Sequence, residues 1–176
     1  MSLRPLFEVI ANQPSSVAIR ESIYGYPALL TSHVVAMCLF AGLIAMMDLR
    51  LAGLGNLRTP CTEMQKRLFP WQMLGVVLSF STGLLLVYGD PLRFYGNFYF
   101  WLKNLLLLLA LANAVIFHFT TYTSVGAWDC DPVPPFGARV AGVFSLALWA
   151  AIIVTGRMIA YSGLVPAWWT ALKLNP

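Results

Sequence analysis

The stretch SIYGYPALLTSHVVAMCLFAGLIAMM, residues 22–47, contains no Asp, Glu, Lys or Arg. A helix that crosses about 30 Å of hydrocarbon needs roughly 20 apolar residues, so this stretch is long enough to span a membrane. Three further stretches lack charged residues in the same way: 68–89, 104–128 and 140–156. The sequence therefore predicts four membrane spans, near residues 27–47, 69–88, 98–122 and 137–161.

The composition agrees with a membrane protein. The chain has 176 residues, of which 59% are hydrophobic and 10% are charged, whereas soluble domains average about 25% charged residues. Spans of this kind are predicted as helices, because only a helix satisfies its own backbone hydrogen bonds in lipid. We therefore predict an all-α, integral-membrane four-helix bundle, formed as a single transmembrane domain over residues 1–176. The net charge of +4 needs no nucleic-acid partner, since basic residues commonly flank membrane spans.

Short apolar stretches near both ends of the chain, including LVPAWWTALKL at 164–174, predict short helices in the headgroup layer. Four spans place both termini on one side of the membrane, called side X, and the opposite side is called side Y. Five Lys or Arg residues flank side Y and four lie outside the spans on side X. The positive-inside rule then favours a cytoplasmic side Y and periplasmic termini. Lys103 and Arg157 sit just inside the spans. If they are counted with side X, side X has more basic residues than side Y and the favoured orientation is reversed.

The two histidines of the chain both lie within predicted spans. His33 is early in the first span and His118 is late in the third, and both spans run from side X to side Y. At about 1.5 Å of rise per residue the two should differ in depth by roughly 20 Å, which predicts two separate sites. His33 shares the side X half with Lys103 and Arg157.

Helical spacing of about 100° per residue assigns further residues to faces. Met37 and Met47 fall within about 40° of His33, which predicts one stripe on the first span. His118 is predicted to share the side Y half with Met47. Rows of small residues in the second and fourth spans predict close helix packing in a closed bundle. The small residues are Gly75, Ser79 and Gly83 in the second span and Gly142 and Ser145 in the fourth, where Trp149 lies along the same face.

The histidines suggest a haem-binding site. A neutral imidazole is a good axial ligand for haem iron, and Arg and Lys can hold the carboxylates of a haem. We therefore predict haem b as the cofactor, with His33 and His118 as metal ligands and Lys103, Arg157 and Met47 as further cofactor-binding residues. Two histidines are too few for two haems with two histidines each. Either each haem has one histidine with Met or an open position, or one haem binds, or a partner subunit supplies ligands.

Other interpretations remain open at this stage. Intramembrane histidines can join helices by hydrogen bonds without any cofactor, as in a membrane anchor or assembly subunit. His33, Met37, Cys38 and Met47 carry ligand atoms that suit copper, although Cys38 lies about 140° around the helix from His33. A quinone could bind near Lys103, Arg157 and Trp149. The sequence contains no Ser-His-Asp arrangement and no phosphate-binding glycine loop.

Several motifs resemble a known family. They are E-S-x-x-x-Y-P at 21–27, T-x-H at 31–33 and D-L-R-L-x-G at 48–53, followed by FPWQMLG, NAVIFH and ARVAGVFSLALWAAIIVTGRMIAY. Over about residues 20–162 the chain resembles a bacterial integral-membrane family of unknown function. The resemblance implies four spans in a bacterial inner membrane, within the lipid bilayer, but no activity.

In architecture alone, the chain is more distantly similar to small membrane b-type cytochromes and to copper-resistance D-type membrane proteins. Taken together with the histidines, this suggests an electron-transfer module or the membrane subunit of a redox complex, at most an oxidoreductase subunit. Redox partner subunits would then complete the assembly.

Overall fold

A computed structural model describes residues 4–161, 165, 166, 168 and 169. In these residues the chain forms seven α-helices and one 3₁₀ helix, and no strand. The α-helices are α1 Arg4–Ala11, α2 Pro14–Glu21, α3 Gly25–Ala52, α4 Cys61–Gly89, α5 Pro91–Tyr95, α6 Phe98–Thr120 and α7 Phe136–Met158, and the 3₁₀ helix is Tyr122–Ala127. The all-α fold is therefore confirmed.

Four of these helices, α3, α4, α6 and α7, are long and apolar enough to cross a membrane. They correspond to the four predicted spans, but α3 and α4 extend well beyond the predicted side Y ends. Their 28 and 29 residues would measure about 42 Å, which exceeds the hydrocarbon thickness of about 30 Å. The boundary of the hydrocarbon layer does not determine where a helix ends. α3 instead ends at Gly53, whose φ of 76° lies in the left-handed region that glycine tolerates.

Small residues set the packing of α3 against its two neighbours. A Cβ at Gly75 of α4 would lie 2.9 Å from Cβ of Phe40, and a Cβ at Gly83 would lie 3.1 Å from Cε1 of His33. On α7, a Cβ at Gly142 would lie 2.7 Å from the carbonyl oxygen of Asp48. Gly75, Gly83 and Gly142 therefore face α3, which packs between α4 and α7.

Gly142 gives a direct test of this packing. We expect Gly142→Ala to lower the free energy of unfolding by about 1–3 kcal/mol, because the new methyl group meets backbone atoms of α3 that have little freedom to move. Gly42→Ala is the matched control, since nothing lies within 4 Å of a Cβ at that mid-helix position. Detergent-induced unfolding of both variants measures the difference. Equal stability of the two variants would contradict the packing described here.

The bundle is less closed than the sequence suggested. α3 packs closely against α4 and α7, and α6 packs against α7, whereas α4 and α6 approach each other at few points. The small residues of α4 face α3, so α4 presents large side chains such as Leu84 and Phe80, both exposed, elsewhere on its surface. One side of the bundle, between α4 and α6, is therefore loosely packed.

The short helices lie at the side X end, as predicted for the N-terminal segment. The Ser16 hydroxyl of α2 donates a 2.7 Å hydrogen bond to the carbonyl of Tyr88 at the end of α4. Phe7 of α1 packs on Tyr95 of α5, with ring centroids 4.9 Å apart. The predicted C-terminal interfacial helix lies mostly outside the described residues, although the Trp169 indole donates a 3.0 Å hydrogen bond to the carbonyl of Gly96.

Candidate functional site

His33 lies between α3 and α4, near the side X end. Its Nδ1 is 2.9 Å from the Thr82 hydroxyl oxygen. The single proton of that hydroxyl is donated to the carbonyl of Leu78, at 2.6 Å. A hydroxyl that donates to a carbonyl, here that of Leu78 or, at 3.3 Å, that of Ser79, can accept a hydrogen bond from His33, and this assigns the imidazole proton to Nδ1. In the neutral ring, Nε2 then carries a free lone pair, the form in which histidine binds metals.

The surface of α4 beside His33 combines close packing with an unpaired hydroxyl. Gly83 has no side chain, and its backbone lies against the edge of the imidazole. Ser79, one turn earlier, is only 8% exposed, and its hydroxyl has no hydrogen-bond partner within the described residues. Its carbonyl interacts with the imidazole. A buried hydroxyl without a partner is unusual in a folded protein and is a feature of ligand sites.

Lys103 brings a positive charge to the same region from α6. A Cβ on Gly156 of α7 would lie 3.6 Å from Nζ of Lys103, so the side chain lies along the glycine surface of α7. The Lys103 charge acts on His33, and no salt bridge to Lys103 is found among the described residues. An ammonium group without an acidic partner inside a membrane span usually marks a functional site. We call His33, Ser79, Thr82 and Lys103 the His33 site.

Three other predicted site residues lie apart from it. Arg157 is exposed, donates a 3.3 Å hydrogen bond to the Tyr161 hydroxyl and lies over the Tyr161 ring. His118 is exposed near the other end of the bundle and stacks on Tyr122, with ring centroids 5.6 Å apart. Met47 is 7% exposed and belongs to an apolar cluster at the side Y end. Of the five predicted residues, Lys103 is the one whose charge acts on His33, and it does so from α6, which packs on α7 rather than closely on α3.

The positions of Cys38 and Met37 in the structure do not support the copper interpretation. Cys38 is exposed on the surface of α3, and Met37 packs against the apolar cluster in the middle of the bundle. That cluster consists of Ala41, Ala110, Leu148, Trp149 and Ile152. No group of three or more His, Cys, Asp or Glu residues lies together in the part of the chain that the structure describes.

Residues 21–162 match a family of unknown function, DUF6644. The chain belongs to this family. All four long helices and every residue of the His33 site lie within the matched region. No curated protein and no solved structure matches the chain.

The side Y end of the DUF6644 chain contains a buried arginine that the sequence did not single out. Arg50 is 0% exposed. Its guanidinium donates hydrogen bonds to the carbonyls of Thr59 at 2.9 Å and of Asp129 and Asp131 at 3.1 Å. Asp48, two residues earlier, is not its partner, since no salt bridge between the two is found among the described residues. Residues two apart on a helix point in different directions, and the Asp48 carboxyl interacts with Ser145 of α7 instead.

Asp129 caps the first turn of α4. Its carboxylate accepts hydrogen bonds from the Thr62 backbone N–H at 2.8 Å and from the Thr62 hydroxyl at 2.6 Å. Burial alone would raise the pKa of Asp129, but these hydrogen bonds and the charge of Arg50 outweigh it and lower the pKa below its usual value. The capped turn joins the loop before α7 to α4.

This lowered pKa predicts a pH dependence of stability. The stabilisation is fully present above the unfolded pKa of about 3.9 and is lost as the pH falls through the lower folded pKa. We expect Asp129→Asn to lower the melting temperature at pH 7, and the difference from wild type to shrink at pH 3. Asp131→Asn is the control, because Asp131 is bonded through its backbone carbonyl. A difference that is constant from pH 7 to 3 would contradict the role of the carboxylate.

Proposed function

We propose that this protein is a membrane-embedded electron-transfer module, or the membrane subunit of a redox complex, and that it binds one b-type haem at the His33 site. The observation that carries the proposal is the 2.9 Å contact between Nδ1 of His33 and the Thr82 hydroxyl, which, with the imidazole proton assigned to Nδ1, leaves Nε2 to bind a metal. An imidazole oriented through its other nitrogen is the usual arrangement of a metal-binding histidine.

The other residues of the site suit a haem. Gly83 lets the imidazole pack closely against α4, and Lys103 supplies a cation that can pair with a haem carboxylate. The loosely packed side between α4 and α6 offers a route of entry for a flat group. Ser79 supplies an unpaired hydroxyl. A bound haem supplies reversible one-electron chemistry at its iron.

The protein's own contribution would be orientation and exclusion of water. Thr82 would fix the orientation of the His33 imidazole ring. Lys103 would balance the negative charge of a haem carboxylate. The apolar cluster in the middle of the bundle, which contains Trp149 and Ile152, separates the His33 site from side Y. With one histidine at the site, the sixth coordination position would be open or filled by a partner subunit. A membrane quinone or a redox partner subunit would exchange the electrons.

A cofactor-free membrane anchor or assembly subunit is the second candidate. The observation that favours it is the exposure of α6, which packs closely against α7 and leaves large apolar side chains such as Leu108, Leu111 and Ile116 uncovered. In this case the hydrogen bond between His33 and Thr82 would serve to join α3 to α4, and it would stabilise their association by about 0.6–2 kcal/mol.

An absorption spectrum of the full-length protein, purified in detergent from haem-sufficient cells, separates the two candidates. A Soret band with α and β bands after reduction is expected from the proposal. A colourless protein that remains folded, and stays colourless after incubation with haem, would overturn it and support the anchor. A spectrum of bound copper without haem would instead support copper handling.

We further propose that the protein lies in a bacterial inner membrane with periplasmic termini, on the basis of the loop charges. Cys130 on side Y tests this, because it is exposed whereas Cys61 is fully buried. In a variant that keeps only Cys130, a membrane-impermeant maleimide should label the protein only after the inner membrane is permeabilised. Labelling in intact cells would reverse the orientation.

A further inference from the structure

Asp48 is an acid buried at the side Y end of α3, far along the helix from the His33 site. The residue is 6% exposed, and its Oδ2 has no hydrogen-bond partner within the described residues. A carboxylate that is buried without a positive partner or a full set of hydrogen bonds is strongly destabilising. Its burial within the bundle, at the side Y end of α3, therefore calls for a specific compensation.

The surroundings of Asp48 are small or apolar. Gly142 brings the backbone of α7 directly against the Asp48 backbone, and Ser145, about one turn further along α7, interacts with the Asp48 carboxyl. The neighbouring Met47 and Leu51 belong to the apolar cluster of the side Y end, together with Cys61, Met64, Trp128 and Ala138. Ser145 is thus the polar side chain that acts on this carboxyl.

No nearby charge compensates Asp48. Arg50 directs its guanidinium to the carbonyls of residues 59, 129 and 131, and Arg139 of α7 lies along Gly53. On α4, Glu63 pairs with Arg67, while Asp129 is bonded to Thr62. None of these groups is paired with the Asp48 carboxyl in the part of the chain that the structure describes.

We propose that Asp48, with Ser145, forms a proton-binding site that exchanges protons with side Y. A bound proton removes the uncompensated charge and turns the unpartnered oxygen into a neutral hydroxyl group. Asp48 lies four residues before the end of α3 at Ala52, about 6 Å along the axis, so side Y is close. His33 lies about 22 Å away along the same helix. This site is therefore independent of any cofactor at His33.

Infrared spectroscopy of the full-length protein in lipid nanodiscs tests the proposal, because a protonated carboxyl has its own carbonyl stretching band. We expect wild type to show this band at neutral pH and to lose it as the pH is raised. Asp48→Asn should lack the band, and Glu63→Gln, which changes an exposed acid, should retain it. Ser145→Ala should shift the band to higher frequency, because the hydroxyl interaction is lost.

Two results would overturn the proposal. One is the absence of the band in wild type, or its persistence in Asp48→Asn. The other is loss of the band on addition of sodium ions at constant pH, which would make Asp48 a cation site. If Asp48→Asn does not fold, the Ser145→Ala spectrum decides, since an unshifted band would assign the proton to another carboxyl.

Discussion

Replacement of His33 by alanine is expected to lower the haem affinity of the protein by more than about 100-fold, and so to remove its Soret band. Loss of a residue that merely orients a metal ligand typically costs 10- to 100-fold in affinity, and loss of the ligand itself must cost more. Titration of the purified variant with haem, followed by absorption, measures the effect. A His33→Ala protein with an unchanged haem spectrum would place the ligand elsewhere and leave His33 as a link between α3 and α4.

Two variants make this result specific. Thr82→Val keeps the shape of the side chain but removes the oxygen that accepts from Nδ1 of His33, so we expect a 10- to 100-fold loss of affinity with the axial ligand still present. His118→Ala tests the separate side Y site predicted from the sequence. If one haem binds at the His33 site, the spectrum of His118→Ala should be unchanged. Loss of a distinct fraction of the bound haem in this variant would establish a second haem.

The four spans could be predicted because they depend on composition alone. A run of about 20 uncharged residues can be recognised without knowledge of its neighbours. The helix ends could not be predicted as well, since charged segments such as Asp48 to Arg50 and Glu63 to Arg67 continue the helices past the hydrocarbon. Their ends depend on local features such as the left-handed Gly53.

The His33 site was predictable only in part. The shared depth of His33 and Lys103 follows from helix rise and span direction, and the Lys103 charge acts on His33. The role of Thr82 did not follow, because it depends on which helix the small residues of α4 face. Thr82 lies 49 positions away from His33 along the chain, and periodicity within one helix contains no information about such a contact.

The prediction of which helical face points inward is less reliable for a helix that has few neighbours. At about 100° per residue, Lys103, Ala110, Ala114 and His118 fall on one stripe of α6, which the sequence alone would place on an inward face. α6 packs closely against α7, so the stripe is buried at Ala110 and exposed at Ala114 and His118. An inward face exists only where another helix covers it, and coverage is a property of the whole bundle.

Arg50 was missed because its partners are backbone carbonyls in two loops that precede α4 and α7. We expect Arg50→Ala to lower the free energy of unfolding by roughly 2–4 kcal/mol, since truncation removes three hydrogen bonds from a charged group and leaves an unfilled space in the interior. Both loops should loosen together, because Arg50 joins Thr59 to residues 129 and 131. Unfolding in mixed detergent micelles, followed by the fluorescence of the buried Trp128, measures the loss.

Arg67→Ala is the matched control for Arg50→Ala, since Arg67 lies on the same side of the membrane and its side chain is 74% exposed. Its ion pair with Glu63 is of the exposed kind that contributes about 0–1 kcal/mol. Arg50→Lys should fall between the two, because an ammonium group keeps the charge but cannot reproduce the planar set of donors that reaches three carbonyls. If Arg50→Ala is as stable as Arg67→Ala, the two loops are held by the Asp129 cap and the apolar cluster around Trp128, and the buried guanidinium contributes no net stability.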